Sequence, residues 1–425
     1  MKQDSRIYQT YLQILNRELI PAMGCTEPIA IAYGAAKARE VLGSVPEWVR
    51  IEASGNIIKN VKSVIVPNTG GKRGIPAAAA AGIIAGDSTR GLEVIASVTE
   101  QQKEEMGHFL QSASIAVLSL PSEHVLDFVI SMGCGSESAC IRIVNEHTNL
   151  VLVKKNETIL MEREITAAEA ADGPDYSLLS INDIFDFVNT VRLEDVKPLL
   201  QRQIECNQAI SKEGLTGDYG ANVGKVLLKA YGTDLKTRAK AKAAAGSDAR
   251  MNGCELPVVI NSGSGNQGIT ASIPVLEYAA ELGCSMELTY RGLLLSNLVT
   301  LHLKSGIGRL SAYCGAVSAG AGAGAGIAYL CTGSLDMISH TIVNALAITS
   351  GIVCDGAKAS CAAKIASAVD VGILGFELYQ NGQQFYSGDG LVSKGVENTI
   401  RNIGILGREG MQEADKTIIE IMTGC

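Results

Sequence analysis

Three cysteines are spaced so that their thiols could do chemistry together. Cys314 lies between Tyr313 and Gly315, Cys354 lies 40 positions further on, and Cys361 closes the stretch Cys354-Asp355-Gly356-Ala357-Lys358-Ala359-Ser360-Cys361. Three thiolates folded around one centre would make a metal or cluster site, because the thiolate is the ligating form. Structural zinc asks for four N or S ligands, usually as CxxC pairs, and the chain has no CxxC. Iron–sulfur clusters accept looser spacings. Three cysteines on a four-iron cluster would leave one iron open to water or substrate, and an open iron is a Lewis acid. In one continuous helix, residues 354 and 361 would stand about 10 Å apart along the axis, too far for one small cluster. Gly356 instead allows a bent loop, with Cys361 on the first turn of the next helix. The spacing matches no standard cluster signature, so packing cysteines remain the competing reading.

Cys25 is the fourth candidate, in Pro21-Ala22-Met23-Gly24-Cys25-Thr26-Glu27-Pro28. Thr26 suits an N-cap and Pro28 a first turn, which puts Cys25 just ahead of a helix. A helix start is expected to lower a thiol pKa, because the unpaired N–H groups and the dipole favour the thiolate. A buried structural cysteine is the alternative. Two glycine-rich turns could hold a small ligand. Asn68-Thr69-Gly70-Gly71-Lys72-Arg73-Gly74-Ile75-Pro76 feeds an alanine-rich helix and carries two cations, the makings of a carboxylate site. Asn261-Ser262-Gly263-Ser264-Gly265-Asn266-Gln267-Gly268 is a neutral hydrogen-bonding cradle. Neither matches a P-loop or a dinucleotide fingerprint, and both compositions also suit ordinary turns. His108, His124 and His147 show no metal spacing and read as surface or core residues.

The elements that must carry these residues follow from periodicity. Residues 5–20 and 27–42 read as helices, and 49–54 and 57–66 as strands around Gly55-Asn56. Residues 94–98 read as a strand and 99–111 as a helix. Strands are expected at 114–118, 125–131, 139–144, 149–154 and 158–162. A polar linker covers 165–180. Beyond it the pattern is helical, interrupted by a strand-like run at 257–260. Residues 362–371 read as a helix and 372–390 as a hairpin-like excursion. Residues 310–335 carry no charge and are long enough to span a bilayer. Their Ala/Gly composition argues for a buried central helix instead, as does the mean hydropathy of +0.19.

The chain has 425 residues, 47% hydrophobic but only 4% aromatic, with 46 glycines and a net charge of −8. Thin Ala/Val/Ile/Leu packing is expected, with no aromatic platform or basic run for nucleic acid. Eleven cysteines, an odd number, do not read as a disulfide framework. With no apolar segment behind Met-Lys-Gln-Asp-Ser-Arg, the expectation is a cytoplasmic protein with reduced thiols and no membrane span.

The Gly24-Cys25-Thr26-Glu27-Pro28 segment, both glycine-rich turns, Cys314-Gly315 with its Ala/Gly run, and Cys354-Asp355-Gly356-Ala357-Lys358 together resemble the L-cysteine desulfidase family. That family is related to the iron–sulfur L-serine dehydratase alpha chain, and the resemblance runs from about residue 5 to 410. It implies a [4Fe-4S] cluster held by Cys314, Cys354 and Cys361, and β-elimination from a small amino acid with Cys25 as proton acceptor. A cysteine near the C-terminus would correspond to Cys425. On that reading Lys72 and Arg73 bind the substrate carboxylate, Asn68 and Thr69 are further substrate-binding residues, and Asn266 and Gln267 orient the amino group. No lysine motif for pyridoxal phosphate stands out, so the electron sink has to come from the cluster. The fold class expected is α+β: N-terminal helices (1–45) packing on the catalytic domain, a smaller α+β domain (46–165), and an all-α catalytic domain (181–425). A homodimer is possible. An L-serine or L-threonine dehydratase with the same cluster is the nearest alternative. A non-catalytic iron–sulfur redox sensor is one of a different class.

Overall fold

The computed structural model describes residues 1–165, 173–308 and 311–423. The chain opens with α1 (Arg6–Glu18), β1 (Pro21–Met23) and α2 (Thr26–Leu42). β2 (Trp48–Ala53) is followed by α3 (Gly55–Val61), α4 (Gly74–Ala85) and α5 (Glu100–Ser112). Five strands come next: β3 (Ser114–Ser119), β4 (Asp127–Cys134), β5 (Glu137–Val144), β6 (Leu150–Lys155) and β7 (Thr158–Glu162). The second half is helical: α6 (Ile181–Thr190), α7 (Leu193–Thr216), α8 (Val223–Tyr231) and α9 (Leu235–Met251), then β8 (Pro257–Val259) and α10 (Gly265–Glu281). It continues with α11 (Met286–Ile307), α12 (Gly315–Thr332), α13 (Leu335–Ile348), α14 (Cys361–Gln380), α15 (Val396–Ile405) and α16 (Gln412–Thr423). The class is α+β, as expected.

The sheet order is β3-β2-β4-β5-β6-β7, with only the β2–β3 pair parallel. Val49, Ile51 and Ala53 of β2, with Phe128, Ile130 and Met132 of β4, point to one buried face. Helix α2 lies on that face. A Cβ on Gly34 would come within 3.0 Å of Ile141 and 3.1 Å of Phe128. The first 45 residues therefore do not act as one unit. α1 belongs to the helical half, with Tyr8 and Tyr11 each 5.2 Å from the Phe187 ring and the Tyr8 hydroxyl donating to Asp195 at 2.6 Å. α2 belongs to the sheet. Between them, β1 pairs antiparallel with β8, which ties the start of α2 to the start of α10.

In the helical half, α12 is threaded between α11 and α14, and its alternate glycines make that possible. A Cβ on Gly320 would stand 2.3 Å from the Ala368 carbonyl oxygen, and one on Gly324 2.3 Å from that of Gly372. Helices crossing this closely need hydrogen in place of a methyl. The run is thus a buried core helix, and among the described residues no helix is long and apolar enough to cross a membrane.

Three sequence expectations fail locally. Residues 57–61 form the helix α3, not a strand, because Ile57 and Val61 are also an i, i+4 pair and short apolar runs do not fix the period. Residues 94–98 make a turn. α14 does not stop at 371 but runs to Gln380, since Gly372 and Gly375 mark contacts with the Gly320 and Thr341 carbonyls and not a turn. Seven residues of the expected linker, 166–172, lie outside the described residues.

Candidate active site

A cavity of about 740 Å³ opens between the sheet-bearing and helical halves. Four helix starts face it: Cys25–Glu27 of α2, Ser264–Gln267 of α10, Cys314–Ala316 of α12 and Cys361 of α14. In none of the four does a side chain cap the first turn, and only α2 has an acidic residue there. Four positive dipole ends therefore surround one space, which favours an anionic occupant.

The three thiols are brought together by two local devices. Tyr313 and Val353 form an antiparallel bridge, with Cys314 N donating to Ile352 O at 2.8 Å and Cys354 N to Ala312 O at 2.6 Å. That register puts Cys314 and Cys354 diagonally on the same face, and the Cys314 thiol hydrogen-bonds Cys354. The second device is the 355–360 loop. Gly356 has φ +88°, and a Cβ there would meet the Lys59 carbonyl oxygen at 2.4 Å. The loop turns hard against α3 and delivers Cys361 as the first residue of α14, its Sγ 3.8 Å from Gly356 O. Asp355 fastens the loop through ion pairs to Lys358 and Lys364. Although burial works against its charge, those two ammonium groups hold its carboxyl down at about 2.

The charges suit a thiolate-held anion. Cys354 is brought down to about 6, first by the hydrogen bond from Cys314 and then, against burial, by Lys59, the Gly356 amide and Lys304. Cys314 moves the opposite way, because it is the donor of that bond and is buried. Burial raises Cys361. Burial also lowers Lys304 to about 8, the neighbouring Cys354 and Cys314 opposing it. Lys59 is buried and paired with Asp415 of α16, which also accepts from Asn56 at 2.9 Å. Among the described residues no three His, Cys, Asp or Glu side chains converge tightly enough for a single metal ion. A polynuclear cluster spreads its thiolate ligands wider than one ion does. Three cysteines at the mouth of converging helix dipoles, beside two buried lysines, fit such a group.

Cys25 is the N-cap residue of α2 and packs with Val64 and Met251, against Ala357 and Cys361. The expected lowering of its pKa does not occur. Burial and the Glu27 carboxylate raise it well above the usual thiol range, outweighing the helix start. Its Sγ donates to Glu27 Oε2 at 3.1 Å, Thr26 Oγ1 donates to the same oxygen at 3.1 Å, and Asn60 Nδ2 donates to Oε1 at 3.0 Å. Burial opposes the Glu27 charge, but His147, Cys25 and Arg250 keep the carboxyl below its ordinary value.

The two glycine-rich turns part company. Asn266 and Gln267 line the cavity. Asn68, Thr69, Lys72 and Arg73 do not. Their side chains bond to backbone carbonyls: Asn68 Nδ2 donates to Ile95 O of the 94–98 turn at 2.7 Å, Thr69 Oγ1 to Val66 O at 2.7 Å, and Lys72 Nζ to Thr69 O at 2.9 Å. Arg73 is exposed. Cys425 lies outside the described residues. Sequence reasoning missed Lys59, Lys304, Glu27, His147 and Arg250, all lining the cavity. Lys59, Lys304 and Arg250 are charged, and each is no more than 3% exposed. The signal for Lys304 was a lone cation inside the apolar run of α11. Lys59 sat in a segment read as a strand.

Clustered thiols at helix starts thus line one cavity of an α+β chain. The chain belongs to the serine dehydratase alpha chain family, whose family model matches residues 89–420. It is 60% identical over 422 residues to a UPF0597 protein of Desulfitobacterium hafniense (strain Y51), covering 99% of this chain and 98% of that one. A UPF0597 protein of Lachnoclostridium phytofermentans is 51% identical over 416 residues, covering 98% of this chain and all of that one. One of Treponema denticola is 45% identical over 428 residues, covering 99% of each. The relatives' names specify no substrate.

Proposed function

We propose that this protein is an iron–sulfur-dependent lyase that removes sulfide from L-cysteine by β-elimination. The observation that carries the reading is that the thiols of Cys314, Cys354, Cys361 and Cys25 line one cavity, beside the buried ammonium groups of Lys59 and Lys304. Cys314, Cys354 and Cys361 would hold a [4Fe-4S] cluster. When bound, such a cluster supplies a Lewis-acidic iron that polarises the substrate. The protein's own part is proton handling and orientation. Glu27 orients the Cys25 thiol by accepting its hydrogen bond, and Cys25, as the thiolate, takes the proton from Cα. The Cα–H electron pair forms the Cα–Cβ double bond as the C–S pair departs with sulfur. The 2-aminoacrylate left behind tautomerises and takes up water, so L-cysteine and water become pyruvate, ammonia and hydrogen sulfide. Lys59 and Lys304 offset the negative charge of thiolates and departing sulfide.

The family description favours a second reading, elimination of water from L-serine or L-threonine at the same residues. Both leaving groups need the same acid help. Assaying anaerobically reconstituted protein against L-cysteine and L-serine side by side separates them, and release of sulfide at a higher kcat/KM than pyruvate from serine is the expected result. Reconstitution should give broad visible absorbance and about four irons per chain, both lost in Cys354→Ser. Cys25→Ala should keep the iron and lose turnover by about 100-fold or more. Full iron in the first variant, or normal turnover in the second, would overturn the assignments.

A further inference from the structure

Among the buried polar atoms around the cavity that have no hydrogen-bond partner among the described residues, three lie together and have no part in the elimination chemistry: Arg250 Nε, Asn266 Oδ1 and Gln267 Oε1. Arg250 ends α9 and is 2% exposed, yet lines the cavity. The carboxylate beside it, Glu27, already accepts from Cys25, Thr26 and Asn60. A buried guanidinium with unused donors calls for a planar anion, and the unpaired group is costly until one arrives. Two unpaired amide oxygens call for a donor, best a cation.

These groups form one surface because of two glycines. A Cβ on Gly265 would stand 2.3 Å from Arg250 Nε, so the guanidinium lies directly on the turn that carries Asn266 and Gln267. A Cβ on Gly315 would stand 2.5 Å from Gln267 Cδ, so the Gln267 amide lies on the residue after Cys314. Anion site, cation site and thiols therefore follow one another across a few residues. A ligand that meets all three in order carries a carboxylate and an ammonium on one carbon and a short side chain toward the thiols.

We propose that Arg250 binds the α-carboxylate, and the side-chain oxygens of Asn266 and Gln267 the α-ammonium, of a small free α-amino acid. The proposal rests on the elimination reading for its choice of cavity, but it concerns recognition and not the leaving group. It hands to Arg250 the role that the sequence suggested for Lys72 and Arg73.

The test is equilibrium binding of L-alanine, which has both charged groups and no leaving group, to the anaerobically reconstituted full-length protein by titration calorimetry. Propionate and ethylamine serve as half-ligands. L-Alanine should bind at least about 10-fold tighter than either half-ligand. Arg250→Ala and Arg250→Lys should weaken it by about 30-fold or more, with iron content and far-UV circular dichroism unchanged, and Gln267→Leu by about 10-fold. Should Arg250→Ala not fold, Arg250→Lys and the half-ligands decide. No binding of L-alanine, equal binding of propionate, or an Arg250→Lys protein within 2-fold of the parent overturns the proposal. If L-alanine binds as expected while neither L-cysteine nor L-serine is consumed, the elimination reading fails and the recognition stands. If L-cysteine is turned over with KM unchanged in Arg250→Lys, the recognition fails and the elimination stands.

Discussion

Two glycine-rich turns open two helices of this protein, and their fates differ. The 67–76 turn spends its polar groups on backbone carbonyls, through Asn68, Thr69 and Lys72, and leaves Arg73 in solvent. The 261–268 turn leaves Asn266 and Gln267 oxygens unpaired inside a cavity. By composition the first was the better anion site, having two cations. What separates them is where the backbone of each turn goes. The 261–268 turn follows β8, whose pairing with β1 ties it to Cys25, and Thr26 Oγ1 donates to Gly263 O at 2.9 Å. Glycines at 265 and 268 are pressed against Arg250 and the Val259 carbonyl, whereas Gly71 has open space around it. A turn built into the protein by close approach can keep unpaired polar atoms for a ligand. The 67–76 turn, although Asn68 and Thr69 are buried and Pro67 packs against Gly24, keeps none, because Asn68, Thr69 and Lys72 each find a backbone carbonyl.

The comparison can be broken most forcefully at Gly268. A Cβ there would stand 2.0 Å from the Val259 carbonyl oxygen, so Gly268→Ala should cost about 3 kcal/mol or more in a urea titration. A loss below about 1 kcal/mol would show that the turn is not pinned. The next test is functional. Gln267→Leu should raise KM for the turned-over amino acid about 10-fold, while the Lys72→Ala/Arg73→Ala double variant stays within about 2-fold of the parent. A large KM effect of the double variant would return the 67–76 turn to the site. Gly71 has φ +83°, and a Cβ added there would meet nothing within 4 Å, so Gly71→Ala should cost about 1 kcal/mol of stability from backbone strain alone. Unchanged kcat and KM are the expected companions.

The smallest effect concerns Asp248 of α9, which fastens the start of α8. Burial raises the Asp248 carboxyl to about 6, although its hydrogen bond from Gly224 N, at 3.0 Å, opposes the rise. A raised folded-state value means that its contribution is fully present below the unfolded value of about 3.9 and is lost as pH climbs to about 6. Asp248→Asn should therefore match the parent near pH 4 and exceed it in melting temperature above pH 6. Parallel pH profiles for the two proteins would contradict the burial argument.

Much of the fold was legible in residue periodicity. The strands from 114 to 162 and the helices after 181 follow alternation and 3.6-residue spacing. Capping also spoke plainly at α5, where Thr99 and Gln102 form a reciprocal box. Where the reading failed, a short apolar run or a glycine had two meanings. Gly372 was read as a turn and is a helix crossing, because a glycine permits both a bend and a close approach. The site was legible in its thiols and in the cradle at 266–267. Its cations were not. Lys59, Arg250 and Lys304 come from α3, α9 and α11, and no local spacing announces that three buried positive charges will meet.

Sequence by itself determined the α+β class and the bend at Gly356 that brings Cys354 and Cys361 to one cavity, since each depends on residues near one another in the chain. The tertiary structure decided which glycine-rich turn faces the cavity, why the Cys25 thiol is raised where a helix start would lower it, and which cations surround the thiols. Those outcomes depend on burial and on charges contributed by distant segments, and burial is a property of the packed chain, not of any stretch of it.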